Sequence, residues 1–234
     1  YIGDTMKPSV PCVLKSNLVL MFDFKKTILN SSIKFNTLTN NSIKSSSNLL
    51  LREIIELYFG GSEEELNIER NWYGKPFLTD RENAWFNLSH SGSVMALVLS
   101  RTGEVGVDIE FRTVHKDYAK IARRFFHCEE VSALNQLPPQ GAQRQSHMLW
   151  CLKEAYIKAI GKGLAQPLNS FRFNIGHHHV DLYEPQQNSI SQCWQCQYHE
   201  LSQDCGLAVC VPRGTPIDFF CLNTNKQLIP NNTY

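Results

Sequence analysis

Residues 150–164 read WCLKEAYIKAIGKGL. Leu149, Leu152, Tyr156, Ala159 and Ile160 recur at helical spacing, which predicts a helix with one side on a core and its other positions free for chemistry. Gly161 and Gly163 end it. Glu154 and Lys158 stand four apart and share a face, with Trp150 one turn earlier on that face. A Glu placed before a Lys at this spacing is common surface decoration, so the pair alone decides nothing. A second acidic pair upstream changes its weight.

That pair lies in Val105 to Glu110, VGVDIE, where Val105, Val107 and Ile109 alternate with Gly106, Asp108 and Glu110. Period two puts Asp108 and Glu110 on one face of a strand. Neighbouring carboxylates repel, and folding tolerates them most readily with a cation between them. With oxygen ligands only, and no histidine or thiolate at matching spacing, the pair points to a hard ion such as magnesium, which keeps waters and takes carboxylates plus substrate phosphates. A solvated strand end is the plain alternative.

The 234 residues suffice for one large domain or two of about 100 residues each, and no internal repeat is visible. A 42% hydrophobic and 19% charged composition suits a soluble globular protein, and a net charge of +1 gives no electrostatic footprint for nucleic acid. The eight cysteines are irregularly spaced in a chain too long to need stapling, which favours reduced thiols in a cytoplasmic setting. Leu18 to Phe24 is too short for an export signal, and no stretch approaches the roughly 18 apolar residues of a membrane span. Tyr1 in place of an initiator Met leaves open a clipped or processed start, or initiation at Met6.

Pro11 to Leu14 and Leu18 to Phe24 are candidate strands, and Asn30 to Ser47 is loop-like. A helix is predicted from Ser46 or Ser47 through Leu49, Ile54 and Tyr58 until Gly60 and Gly61, with Glu63 to Glu65 a solvated turn or helix start. Tyr73 to Pro76 and Ser89 to Gly92 are predicted as turns around strands at Ala84 to Leu88 and Val94 to Leu99. Helices follow from Lys116 to His127 and from Glu129 past Leu134, broken by Pro138-Pro139. Beyond Pro167 the pattern turns to strands at 171–175, 180–183, 191–201 and 206–211. His177 to His179 fall at a turn tip, and Cys193-x-x-Cys196 lacks the second ligand pair of a zinc site, so both are expected to be structural.

Taken in order, several motifs resemble the signatures of the 4'-phosphopantetheinyl transferases of the monomeric, Sfp-like (surfactin-synthetase-activating) type. They are Gly74-Lys75-Pro76, Phe86-Asn87-Leu88-Ser89-His90-Ser91, Gly106 to Glu110, Phe125-Phe126 with Glu130, and Trp150-x-x-Lys153-Glu154-Ala155-x-x-Lys158 with Gly161-x-Gly163-Leu164. The resemblance runs from about Asn48 to Pro185. It implies an α+β pseudo-dimer of two similar halves, 1–103 and 104–234, with the active site in the cleft between them. The first half would bind the nucleotide end of coenzyme A, and the second would carry the magnesium site and the catalytic helix.

The implied reaction moves phosphopantetheine from coenzyme A to a serine of an apo acyl or peptidyl carrier protein, releasing adenosine 3',5'-bisphosphate. By matching positions, Asp108, Glu110 and Glu154 would hold magnesium or manganese, Glu154 would help deprotonate the serine, and Lys153 and Lys158 would meet the pyrophosphate. Tyr73, Gly74, Lys75 and Pro76 would hold the adenine and 3'-phosphate end, with Ser89 and His90 on phosphate. The implied partners are coenzyme A and a carrier domain, with no nucleic acid or membrane, for a cytoplasmic monomer.

This chain departs from the pattern in keeping only Lys34 and Lys44 in the usually basic stretch 31–47, which leaves weaker 3'-phosphate contact or a role for Arg52, and in placing His127 where a capping serine is common. A non-catalytic module binding coenzyme A or a carrier protein is the alternative. A magnesium-dependent nucleotide hydrolase fits less well, since no P-loop pattern occurs.

Overall fold

Residues 17–23, 51–60, 66–113, 115–176, 179–222 and 228–230 are described by the computed structural model. Their strands are β1 (Asn17–Asp23), β2 (Ile68–Arg70), β3 (Pro76–Leu78), β4 (Trp85–Ser91), β5 (Val94–Ser100), β6 (Gly106–Phe111), β7 (Arg172–Ile175), β8 (Val180–Tyr183), β9 (Trp194–Ser202), β10 (Cys205–Pro212), β11 (Ile217–Leu222) and β12 (Leu228–Pro230). The helices are α1 (51–59), α2 (Tyr118–Phe125), α3 (Cys128–Asn135) and α4 (Pro139–Ala159). This is the expected α+β class. The readings of Pro11 to Leu14, of 30–47 with Lys34 and Lys44, of 63–65, and of His177 and His178 lie outside the described residues.

Strand alternation builds the layers. On β5, Leu97 and Leu99 join Ile54, Ile55 and Tyr58 of α1 in one apolar cluster, while Ala96 and Val98 face the other way. There they meet Val107 and Ile109 of β6 and Leu207, Val209 and Val211 of β10. The opposite faces of β6 and β10 turn to α4, where Ala208 and Cys210 pack with Leu152, Ala155, Tyr156 and Ala159. The order is therefore α1, a first sheet, a second sheet and α4, two sheets stacked face to face between helices. Gly106 marks the closest approach of β6 to α4, since a Cβ there would sit 2.0 Å from the Ala155 carbonyl oxygen.

The first sheet runs β12-β11-β1-β5-β4 and the second β6-β10-β9. After β10, β11 runs parallel to β1, pairing Asn17 with Ile217 through Met21 with Cys221, so β11 and β12 complete the first sheet.

A polar seam joins the two sheets. β4 and β6 are both outer strands, and the outward N–H groups of β6 would have no partner in a buried sandwich. Asn87 Oδ1, Ser89 Oγ and Ser91 Oγ accept them, from Val107 N at 3.0 Å, Ile109 N at 3.3 Å and Phe111 N at 3.0 Å. The predicted turn at Ser89 to Gly92 is thereby corrected. β4 continues through Ser91, and the reversal falls at Gly92, where φ is +58°.

One local expectation changes and another is met in part. His127 does cap α3: its Nδ1 accepts from Glu129 N at 3.3 Å, and Glu130 Oε2 accepts from His127 N at 3.0 Å, closing a capping box. Cys196 lies in β9 as a strand residue opposite Cys210, and Cys193 just precedes the strand; both are free thiols.

Candidate active site

The 21-residue helix α4 opens with Pro139 in its first turn, buries Leu149, Leu152, Ala155, Tyr156 and Ala159, and gives way at Gly161, where φ is +68°. The plain alternative for Glu154 and Lys158, a surface pair, gives way to contacts between elements. Lys158 Nζ reaches across to β6 and β4, donating to Asp108 Oδ1 at 2.6 Å and Ser89 Oγ at 3.0 Å. Ser89 Oγ itself donates to Asp108 Oδ1 at 2.9 Å. Asp108 is 4% exposed, and its second oxygen, Oδ2, is buried with no hydrogen-bond partner. An orphaned carboxylate oxygen is costly in a protein interior unless something completes it.

Glu110, two residues along the same face, accepts from Lys116 Nζ at 2.9 Å and Tyr118 Oη at 3.0 Å. Glu154 completes the acidic group electrostatically. Burial, followed by the Asp108 charge, pushes its pKa up to about 7, against the opposing pull of Lys158 and Lys116. Among the described residues, no three His, Cys, Asp or Glu side chains stand close enough together to hold a metal ion. The predicted magnesium triad of Asp108, Glu110 and Glu154 is thus not drawn together as a ligand set; the ammonium groups of Lys158 and Lys116 sit on the first two carboxylates instead.

Lys153 is placed differently from the expectation that it meets pyrophosphate. Its side chain is wholly buried, pairing with Glu130 Oε2 at 2.8 Å and donating to Leu168 O at 2.8 Å and Phe171 O at 2.9 Å. Those contacts match the three donors of an ammonium, leaving none for a phosphate. The rings of Phe126 and Phe171 flank it, and burial brings its pKa down to about 8 against the pull of Glu130. Position 153 comes one residue before Glu154, so on a helix it points about 100° away, into the core.

The Tyr73–Pro76 turn is also tied inward at its lysine. Lys75 Nζ pairs with Glu104 and donates to Val105 O at 3.1 Å and Ala159 O at 2.8 Å. Burial lowers its pKa, with Glu104 opposing. The hub of the turn is Asn71, which the sequence reading passed over. Its Oδ1 accepts from Tyr73 N and Lys75 N, each at 2.9 Å, and its Nδ2 donates to Gly161 O at 2.8 Å just past α4. An Asn opening a Gly-containing turn is a recognised Asx signature that could have found it. Gly74, with φ at +89°, and half-exposed Tyr73 form the tip, and Pro76 opens β3. Beside the turn lies a cavity of about 530 Å³ lined by Asn71, Lys75, Phe77, Arg81, Trp85 and Glu104.

Period two separates Ser89 from His90: the serine is buried against Asp108, and the histidine is exposed. Also missed were Lys116, Tyr118 and His147. His147 is buried on α4 with Nε2 3.1 Å from Glu110 O, and burial lowers its pKa. A buried titratable residue on an otherwise apolar helix face was the available signal. Arg52, the suggested substitute for missing basic residues, donates to Leu66 O at 3.0 Å.

The profile of the 4'-phosphopantetheinyl transferase superfamily matches residues 104–210, which carry Asp108, Glu110, Glu154 and Lys158. The chain is 34% identical over 120 residues to the 4'-phosphopantetheinyl transferase HetI of Nostoc sp., covering 50% of this chain and 51% of that one. It is 40% identical over 124 residues to the 4'-phosphopantetheinyl transferase gsp of Aneurinibacillus migulanus, covering 53% and 50%. It therefore spans about half the length of these two relatives. With the 4'-phosphopantetheinyl transferase Sfp of Bacillus subtilis the match is 31% over 162 residues and extends to 69% of this chain and 70% of Sfp. A match of that extent, on top of a profile lying over the strand and helix that meet at Asp108 and Lys158, means that this chain belongs to the 4'-phosphopantetheinyl transferase superfamily.

Proposed function

We propose that this protein transfers the 4'-phosphopantetheine group from coenzyme A to a serine of an apo acyl or peptidyl carrier protein, giving holo-carrier and adenosine 3',5'-bisphosphate. The observation that carries the reading is the buried junction of Asp108, Ser89 and Lys158, with Glu154 beside it, in a chain of this superfamily. The donor set also fits a hard divalent ion: all oxygen, with one buried oxygen of Asp108 free to take a ligand. Asp108, Glu110 and Glu154 would hold magnesium or manganese, which when bound would neutralise charge on the pyrophosphate.

The residues of the chain would supply the rest. Glu154, buried beside Asp108, would accept the proton of the carrier serine, making a weak hydroxyl into a competent nucleophile. Lys158 would shift part of its charge from Asp108 to the phosphoryl oxygens that gain charge as the bond to the leaving nucleotide breaks. The Asn71-centred turn and the cavity beside it would receive the nucleotide end. Two halves, with the reaction in the cleft between them, is the arrangement this reading requires.

For the carrier, the reading favours the groove of about 550 Å³ lined by Ile121, Phe125, Trp150, Leu164 and Leu168. Phe125 is 46% and Leu164 70% exposed, while Lys120, Arg123 and Arg124 on α2 put positive charge nearby. An acidic surface with an apolar face is the complement to such a groove. The test is incubation with coenzyme A, magnesium and a panel of apo-carriers, read by intact mass. A gain of one phosphopantetheine on a carrier serine supports the proposal; no gain on any carrier, with coenzyme A still bound, would leave the non-catalytic binding module.

A further inference from the structure

Lys116 stands apart from every motif that pointed to the site, yet it is held there with care. Its backbone carbonyl accepts from Gln143 Nε2 at 3.1 Å, and the Ala119 N–H three residues on donates to Gln143 Oε1 at 3.0 Å, so one side chain of α4 clamps the entrance to α2. Its ammonium lies 4.4 Å from the centre of the Trp150 ring and 4.9 Å from that of Tyr118, and donates to Glu110 Oε1 at 2.9 Å. Two aromatic faces and a carboxylate form a cage for one cation. Glu110 is also the carboxylate proposed above for the divalent ion, and Asp108 beside it carries a buried oxygen without a partner.

From this geometry we infer that Lys116 is a positioning residue, a built-in counter-ion that holds Glu110 in the metal-free protein and must leave the carboxylate when a divalent cation binds. The argument is one of charge and space. Asp108 and Glu110 share a strand face and Glu154 feels the charge of both, so the group needs positive charge nearby. Lys158 supplies it at Asp108 and Lys116 at Glu110. Oε1 of Glu110, which accepts both Lys116 and Tyr118, has little capacity left for a metal ion, and an ion on the other oxygen would meet the like charge of the ammonium on the same carboxylate. Metal entry is then an exchange of cations, in which the rings keep the displaced ammonium beside the site.

The inference rests on the proposed metal role of Glu110, and the test separates the two. Binding of Mn2+ to the full chain, without coenzyme A, is measured by the electron paramagnetic resonance signal of the free ion in the parent and in Lys116→Met, Lys116→Arg, Lys120→Met and Glu110→Gln. Met keeps the stem against the rings and loses the charge. The expected result is binding about tenfold tighter in Lys116→Met, near-parental binding in Lys116→Arg, and weakened binding in Glu110→Gln. In chelator Lys116→Met should unfold at lower temperature than the parent and regain more on adding Mn2+. Lys120, exposed in the first turn of α2, controls for net charge. Unchanged or weaker Mn2+ binding in Lys116→Met, or an equal gain in Lys120→Met, overturns the inference. A parent that binds no Mn2+ overturns the metal reading itself.

Discussion

Lys158 Nζ lies 2.6 Å from Asp108 Oδ1, an ion pair spanning two elements fifty positions apart in the chain, where the local pattern offered Glu154 one turn away. Asp108 is nearly inaccessible, and removing one partner of such a pair leaves a charge stranded at a cost of about 3–5 kcal/mol. Lys158 keeps some solvent access, so the lower end applies. Lys158→Met should lose about 3 kcal/mol in urea unfolding with chelator present, and part of it should return with magnesium. Parental stability in chelator would show that Asp108 does not depend on this lysine.

Glu154 gives the protein a pH dependence of known sign. Its carboxyl titrates near 7 in the folded chain against an ordinary 4.5, so the folded state binds the proton more tightly than the unfolded state. Stability from this group is present below about 4.5, falls as pH rises towards 7, and is flat beyond. Glu154→Gln removes the titration. It should match the parent at pH 4.5 and exceed it at pH 8 by up to about 3 kcal/mol, less what solvent screening removes. A stability difference that does not change between the two pH values would refute the assigned environment.

Lys153 and Glu130 form the wholly buried pair that ties α4 to α3 and the loop before β7. Lys153→Met should cost about 3–5 kcal/mol, and adding Glu130→Gln, which removes the stranded charge and keeps an acceptor for one of the two N–H groups of His127 and Phe173, should recover part of it. Coenzyme A affinity of the folded fraction should stay within about twofold. A large loss of affinity at unchanged stability would return Lys153 to the ligand.

Local patterns were legible and cross-chain ones were not. The alternation of VGVDIE gave β6 and the common face of Asp108 and Glu110, and the stripe of Leu149, Leu152, Tyr156 and Ala159 gave α4. Those signals live within a dozen residues. Which cation meets Asp108 depends on how β6, β4 and α4 stack, and Lys153 and Lys158 look alike in a motif although one faces the core and one the site. Ser89 and Ser91 misled for another reason. Polar residues with a Gly nearby resemble a turn, but here their period of two is that of a strand whose polar face serves a neighbouring sheet. β11 escaped notice because its parallel partner, β1, lies some 200 residues away, beyond any local signal.

The seam itself can be tested. Asn87→Leu strands the buried Val107 N–H and should cost about 1–3 kcal/mol, whereas Asn87→Asp keeps an acceptor there. Ser91→Ala, at a position water can reach, should cost less. Equal losses in Asn87→Leu and Ser91→Ala, read by urea unfolding, would show that burial does not grade the seam.

The groove beside Trp150 carries the proposal about the carrier, and Leu164 is the cleanest probe of it because 70% of the residue is in solvent. Replacing it by Ser removes little from the fold, so stability should change by less than about 0.5 kcal/mol. A leucine buried by a partner is worth about 1.5–3 kcal/mol, which is roughly tenfold to a hundredfold in affinity. If the carrier covers this groove while the phosphopantetheine donor lies at Asp108 and Lys158, Leu164→Ser should raise the KM for carrier by that factor. The KM for coenzyme A and the rate at saturating carrier should hold, because contacts made equally in ground and transition states leave kcat alone. Arg124→Glu, reversing charge at the same groove, should act in the same direction and become less harmful as salt is raised. Steady-state kinetics against one accepted carrier decide it: an unchanged carrier KM in both variants would move the docking surface elsewhere on the molecule.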